Sequence, residues 1–169
     1  MSSDERFLVA LLEALDTAGL DAVVVGMTAA ALHGAPVTTL DVDLLIRKTR
    51  PNEAKLERLC KALGNVSRVR ASELAEIETL VGAAAPVDII YDHLPGGLKF
   101  ASVKSRSVAL KLGGHTVRVA SLADIIRSKR ATDRPKDRAQ LPILEETLAV
   151  ATKLAVASAS RASKTKKKR

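Results

Sequence analysis

Aromatic side chains are scarce in this sequence of 169 residues, which has no tryptophan, one tyrosine and two phenylalanines. A hydrophobic core therefore has to be built mainly from Ala, Val, Leu and Ile, although the apolar fraction of 47% is ordinary for a globular protein. The scarcity also disfavours a protein that recognises single-stranded nucleic acid by stacking bases on aromatic rings.

The chain also lacks a second cysteine and a long hydrophobic run. The single cysteine, Cys60, cannot form a disulfide within the chain, and a buried free thiol is its expected state. No run approaches the roughly eighteen consecutive apolar residues of a membrane-spanning helix, and the first residues do not have the pattern of a signal peptide. We therefore expect a cytoplasmic protein with no membrane partner.

The net charge of +8 is concentrated at one end of the sequence. Residues 161–169 contain six basic residues and no acid, so the first 160 residues carry a net charge of only +2. These numbers predict one domain over residues 1–157 and a basic, disordered tail over residues 158–169. Such a tail can contact polyanions through counterion release, without reading a base sequence.

The hydrophobic periodicity predicts both helices and strands. Helices are expected where apolar residues recur every three or four positions after a capping residue or a proline: 3–18, 28–32, 51–63, 72–80, 122–131 and a last helix from Pro135. Strands are expected in short aliphatic runs: 22–25, 42–46, 86–91, and a hairpin formed by 102–112 and 115–119. This order indicates an α/β (α+β) fold with a single mixed sheet and flanking helices.

Two aspartates, Asp41 and Asp43, stand at the start of the second predicted strand. Because side chains alternate along a strand, both point to the same face, where their charges repel each other unless a cation lies between them. Asp88 lies in the third predicted strand among apolar residues, and an unpaired buried carboxylate is costly. If that strand is adjacent, the three carboxylates form a divalent-metal site.

Other features of the sequence suggest a phosphate ligand. Gly26 separates the first strand from a short helix, where backbone N–H groups can hold a phosphate. A basic cluster late in the chain could counter a triphosphate if its helix packs near this turn. The cluster consists of Arg127, Lys129, Arg130, Arg134 and Lys136.

Two other kinds of catalytic site fit the sequence less well. His33 and His115 are expected to be structural, since nothing pairs them with a nucleophile, whereas His93 is a weaker candidate for the cleft. A phosphatase of the haloacid-dehalogenase type also uses Asp-x-Asp, but it needs a hydrophobic strand before the pair and a threonine after it. Here the strand follows the pair and Leu44 comes next, so that class is excluded.

Taken together, these motifs resemble the DNA polymerase β-like nucleotidyltransferase superfamily, in particular its small bacterial members of the AbiEii toxin type. The resemblance covers roughly residues 5–150. It rests on Gly26 and four segments in the same order and spacing: 34–43, 87–90, 119–130 and 134–137.

The resemblance implies a nucleotidyltransferase-like fold and transfer of a nucleoside monophosphate from an NTP to a hydroxyl acceptor with two Mg²⁺ or Mn²⁺ ions. It implies that three carboxylates are catalytic and bind the metals: Asp41, Asp43 and Asp88. It also implies nucleotide contacts at Gly26, Met27, Thr28, Thr39 and Lys129. The acceptor is left open between RNA, a protein hydroxyl and a small molecule.

Two positions depart from the family pattern. Met27 stands where members carry a second glycine or a serine, and Val37 stands where many carry an arginine. Thr28, one position later, offers a substitute hydroxyl donor. Since all three carboxylates are kept, the departures concern nucleotide binding more than metal binding. The alternative interpretation is therefore a catalytically altered or inactive binding or regulatory protein of this fold, related to toxin–antitoxin systems.

Overall fold

The computed structural model describes residues 3–70, 72 and 76–166. Six helices and nine strands lie within these residues. In chain order they are α1 (Ser3–Ala18), β1 (Ala22–Val25), α2 (Gly26–Leu32), β2 (Val42–Ile46), α3 (Arg50–Ala62), β3 (Ser67–Arg70), β4 (Ile77–Val81), β5 (Val87–Tyr91), β6 (His93–Leu94), β7 (Leu98–Lys99), α4 (Phe100–Arg106), β8 (Val108–Leu112), β9 (His115–Val119), α5 (Leu122–Thr132) and α6 (Pro135–Lys166).

Seven strands form one mixed sheet in the order β3-β4-β5-β2-β1-β9-β8, and β6 pairs with β7 separately. The central strand β2 is antiparallel to β1 and parallel to β5, and β1 is parallel to β9. The predicted α/β class, with one mixed sheet and flanking helices, is confirmed.

The core is aliphatic and lies on both sides of the central strands. Val23, Val24 and Val25 are all buried, so both faces of β1 are covered, as their uninterrupted apolar run predicts. Helices α1 and α3 pack against each other, and α2 packs against α5. Cys60 is a buried free thiol, as expected, and burial raises its pKa.

The predicted helix over residues 72–80 is wrong where the structure describes it. Residues 71 and 73–75 lie outside the described residues, and Ile77–Val81 is the strand β4. Glu78 and Leu80 are buried and their neighbours Ile77 and Val81 are exposed, which is the period of a strand. A buried charged residue hides this period in the sequence.

The first arm of the predicted hairpin is wrong in part. Residues 100–106 form the helix α4, which buries Phe100 and Val103 at helical spacing, and only Val108–Leu112 is a strand. The pairing of β8 with β9 is antiparallel, as predicted. Strand β3 and the short β6–β7 hairpin were not predicted.

Helix α6 continues through the predicted domain boundary at residue 157 and reaches Lys166. Residues 149–159 are all exposed, so this part of the helix does not pack on the sheet. The predicted disorder of residues 158–169 stays a prediction, and residues 167–169 are outside the described part of the chain. Among the helices described, none is both long and apolar enough to cross a membrane.

Candidate active site

The structure places the three predicted carboxylates, Asp41, Asp43 and Asp88, at one end of the central strands, where β2 and β5 begin. We call this end of the strands the carboxylate edge. Asp43 and Asp88 are register partners on these parallel strands, so their side chains project from the same face. Asp41 lies immediately before β2. The prediction that the strands carrying Asp43 and Asp88 are adjacent is therefore confirmed.

Asp43 has an unusual protonation equilibrium. Burial, and then the charges of Asp41 and Asp88, raise its pKa to about 7, although Lys129 and Lys136 act in the opposite direction. Near neutral pH this carboxyl is therefore only partly ionised. A cation bound at the site would favour the ionised form.

Gly26 makes room for the Asp43 carboxylate. Its φ is +63°, which favours glycine, and a Cβ added at this position would lie 2.0 Å from Oδ2 of Asp43. Val25, the preceding residue, pairs with Asp43 between β1 and β2. The glycine that the sequence assigned to phosphate binding therefore also positions a carboxylate.

Two threonines orient the outer carboxylates. Thr39 Oγ1 donates to Oδ1 of Asp41 at 2.8 Å, and Thr79 Oγ1 donates to Oδ1 of Asp88 at 2.6 Å. The remaining oxygens of these two residues, and both oxygens of Asp43, accept no hydrogen bond from any described residue. Sequence reasoning missed Thr79, because it lies on the strand that was predicted to be helical and belongs to no motif.

The three carboxylates are chemically suitable ligands for a divalent cation, although their arrangement is not that of a complete metal site. Within the described residues, no three Asp, Glu, His or Cys side chains are arranged closely enough to hold a metal ion. Carboxylate oxygens are nevertheless the ligands that Mg²⁺ and Mn²⁺ prefer, and the absence of a side chain at Gly26 leaves room for the Asp43 carboxylate.

The other predicted nucleotide contacts on α2 are buried. Thr28 Oγ1 donates to the main-chain carbonyl of Asp41 at 2.8 Å, which fastens α2 to the segment before β2. Met27 belongs to the hydrophobic core, and Val37 packs against that core. Contact of Met27, Thr28 and Thr39 with a nucleotide stays a prediction.

Lys129 is held inside a buried ion pair. Its Nζ donates to Oδ1 of Asp137 at 3.1 Å and to Oε1 of Gln140 at 2.7 Å. Arg134 Nε donates to Oδ2 of Asp137 at 2.6 Å. Burial alone would raise the pKa of Asp137, but the hydrogen bonds from Arg134 and Lys129 lower it below its ordinary value. Sequence reasoning placed Asp137 in the family motif without this role.

The histidines do not take part in this cluster. His33 Nε2 lies 2.8 Å from the carbonyl oxygen of Ala120, and His115 Nδ1 lies 2.6 Å from Oδ2 of Asp16. Both contacts are structural, as expected. His93 begins β6, beyond the end of β5 opposite to Asp88, so it does not line the carboxylate edge.

Several solved structures of nucleotidyltransferases, or of proteins like them, have a similar fold. A candidate nucleotidyltransferase from Thermotoga maritima is 21% identical, with a TM-score of 0.58 over 92% of this chain and 96% of that chain. ANT(2″)-Ia, in a crystal structure with adenylyl-2″-tobramycin, is 18% identical, with a TM-score of 0.61 over 95% and 98%. An antigenic nucleotidyltransferase-like protein from Paracoccidioides brasiliensis is 20% identical, with a TM-score of 0.56 over 89% and 78%.

No family model and no curated protein sequence matches the chain. At these identities the structural similarity establishes the fold. The predicted nucleotidyltransferase-like fold is thus confirmed, and the AbiEii subtype stays a prediction.

Proposed function

We propose that this protein is a metal-dependent nucleotidyltransferase, which transfers a nucleoside monophosphate from an NTP to a hydroxyl acceptor. The observation that carries the proposal is the carboxylate edge at the start of β2 and β5. There, Asp41, Asp43 and Asp88 retain oxygens that accept no hydrogen bond from the described part of the protein. The fold shared with nucleotidyltransferases supports the same conclusion.

In this proposal Asp41, Asp43 and Asp88 are the residues that would hold two Mg²⁺ or Mn²⁺ ions. When bound, such ions neutralise the triphosphate and lower the pKa of an acceptor hydroxyl. Thr39 binds one oxygen of Asp41, and Thr79 binds one oxygen of Asp88. These bonds fix the orientation of the two carboxylates and leave the second oxygen of each for a ligand. The raised pKa of Asp43 makes its ionisation, and hence metal binding, depend on pH near neutrality.

The transfer step forms one bond and breaks one. The acceptor oxygen attacks the α-phosphorus in line, the bond from that phosphorus to the bridging oxygen breaks, and pyrophosphate leaves. Asp88 takes the hydroxyl proton or orients the hydroxyl. A small hydroxyl compound is one candidate acceptor, because ANT(2″)-Ia has been solved with an adenylylated small molecule. RNA and protein hydroxyls are the other candidates.

Calorimetric titration of each NTP with Mg²⁺ tests the proposal. Asp43→Asn removes the central charge, and Glu146→Gln is the control, because Glu146 is exposed on α6 and has no partner among the described residues. We expect wild type and the control to bind at least one NTP, and Asp43→Asn to bind it about tenfold or more weakly. The absence of NTP binding by wild type in both Mg²⁺ and Mn²⁺, or unchanged binding by Asp43→Asn, contradicts the proposal.

A second candidate function is nucleotide binding without transfer. The observation that favours it is the state of the turn after β1, where Met27 is buried in the core and the Thr28 hydroxyl is already bonded to the carbonyl of Asp41. Neither side chain offers a donor to a phosphate. Wild type that binds an NTP but releases no pyrophosphate with RNA, protein or small hydroxyl compounds supports this second function.

A further inference from the structure

The charges of two lysines, Lys129 on α5 and Lys136 on α6, lower the pKa of Asp43. The charges of both act on Asp43, where they oppose the effect of burial on its pKa. The two ammonium groups differ in whether the protein already provides them with partners.

Lys129 is committed to the protein. Its side chain is only 13% exposed, and its ammonium binds both Asp137 and Gln140. The Asp137 side chain is 1% exposed, so removing one of its two cations leaves a buried charge poorly compensated. Lys129 therefore joins α5 to α6 and has little freedom to follow a ligand.

Lys136 has the opposite surroundings. It is exposed, and it makes no hydrogen bond or ion pair with any residue that the structure describes. The main chain beneath it is held in place, because the next residue, Asp137, is fixed by Lys129 and Arg134. A positioned backbone thus carries an ammonium group that has no hydrogen-bond or ion-pair partner among the described residues.

The other members of the basic cluster have different environments. Arg130 pairs with Glu145 at 2.7 Å, and Arg134 pairs with Asp137. Arg127 lies beside Gly96 and Gly97, in the turn between β6 and β7. Within the cluster, Arg127 and Lys136 are exposed and have no hydrogen bond or ion pair with a described residue, and the charge of Lys136 also lowers the pKa of Asp43.

We propose that Lys136, and not Lys129, contacts the triphosphate of the nucleotide, and that Lys129 is a structural lysine that acts through Asp137. This inference rests on the proposed function, since it assigns a role at the same site. A lysine on a flexible stem with three donors suits a phosphate chain, and the approach of a phosphate gives Lys136 the anionic partner that it lacks. The family resemblance had assigned this contact to Lys129.

Three variants separate the two lysines: Lys136→Gln, Lys129→Gln and, as a matched control, Lys153→Gln, an exposed lysine further along α6. Calorimetry measures binding of the NTP with Mg²⁺ and of inorganic tripolyphosphate without metal, and urea unfolding measures stability. We expect Lys136→Gln to weaken both ligands about tenfold with unchanged unfolding. Lys129→Gln should unfold at lower urea and keep its affinity within about threefold, and Lys153→Gln should change neither.

Two further variants complete the test. Lys136→Arg keeps the charge and should retain most of the affinity. If Lys129→Gln does not fold, Gln140→Ala removes only one partner of Lys129 and should lower stability while leaving affinity intact.

The inference is overturned if Lys136→Gln binds both ligands as wild type does, or if Lys129→Gln stays as stable as wild type and loses affinity instead. If wild type binds an NTP and Lys136→Gln binds it with the same affinity, this inference is wrong and the proposed function is still supported. Wild type that binds neither an NTP nor tripolyphosphate removes both.

Discussion

Two regions of one sheet contain carboxylates in opposite states, the buried Glu78 and the half-buried Asp43. On β4, Glu78 accepts hydrogen bonds from Arg68, Arg70 and Tyr91; burial would raise its pKa, but the bonds from Arg68 and Tyr91 lower it to about 2. At the start of β2, Asp43 accepts no hydrogen bond from a described residue, and its pKa is raised to about 7. Burial penalises both charges, and of the two only Glu78 is compensated by hydrogen bonds from described residues.

The difference distinguishes a structural carboxylate from one available to a ligand. Arg68 also binds Glu53 and Glu57 of α3, so the Glu78 network attaches the edge strand β3 and its neighbour β4 to a helix. Asp43 makes no hydrogen bond or ion pair of this kind with any described residue. Its environment is costly to the folded protein, and a bound cation would remove part of that cost.

The largest expected effect comes from breaking the compensated region. Arg68→Met leaves the buried carboxylate of Glu78 with Arg70 and Tyr91 alone, and we expect the free energy of unfolding to fall by about 3 to 4 kcal/mol. Urea unfolding at pH 7 measures the change. Arg118→Met is the control, because Arg118 is exposed on β9 with no described partner, and it should change stability by less than about 0.5 kcal/mol. Equal effects of the two substitutions would refute the structural role of Arg68.

A smaller effect is expected from crowding the uncompensated region. Gly26→Ala adds a Cβ where Oδ2 of Asp43 now lies and also strains a backbone at φ +63°, so the free energy of unfolding should fall by about 3 kcal/mol. Gly34→Ala has a φ of +90° with no atom within 4 Å of the added Cβ, so it should cost only the backbone strain, about 1 kcal/mol. Thermal or urea unfolding of both variants checks this difference. A Gly26→Ala protein no less stable than Gly34→Ala would mean that the Asp43 contact is unimportant.

The smallest expected effect is a difference in pH dependence. Glu78 titrates below its ordinary value of 4.5, so its contribution to stability is present above about pH 4.5 and is lost as the pH falls toward 2. Asp43 titrates above its ordinary value of 3.8, so the folded protein loses stability as the pH rises from about 4 to 7.

Asp43→Asn cannot ionise and should avoid this loss. At pH 8 without divalent cations, we expect its free energy of unfolding to exceed that of wild type by about 2 kcal/mol, with little difference at pH 4. Urea unfolding at the two pH values measures the gain. If the stability difference between Asp43→Asn and wild type is the same at pH 4 and pH 8, ionisation of Asp43 does not destabilise the folded protein.

The centre of the sheet could be predicted from sequence, because strands buried on both faces have a plain local signature. The bounds of β1 and β2 are those expected from their aliphatic runs. The same signature placed Asp88 in a strand, and the sheet then put that strand beside Asp43. Asp41 and Asp43 are two residues apart, so their pairing is visible in the local sequence.

The edge of the sheet and the supporting contacts of the site could not be predicted in this way. Strand β3 is mostly exposed and is held through Arg68 and Arg70, whose partner Glu78 is itself the residue that obscures β4. The bond from Thr79 to Asp88 joins two strands, and the ion pair of Lys129 with Asp137 joins two helices. Such contacts depend on tertiary structure and leave no periodic pattern.

The Glu78 network also determines what an optical experiment on this protein reports. Tyr91 is the only tyrosine in a chain without tryptophan, and its hydroxyl donates to Glu78 at 2.5 Å. Burial and this hydrogen bond raise the pKa of Tyr91 to about 12. Near-ultraviolet absorbance and intrinsic fluorescence therefore come mainly from one ring, which is bonded across from β5 to β4, so these signals report the separation of β4 from β5.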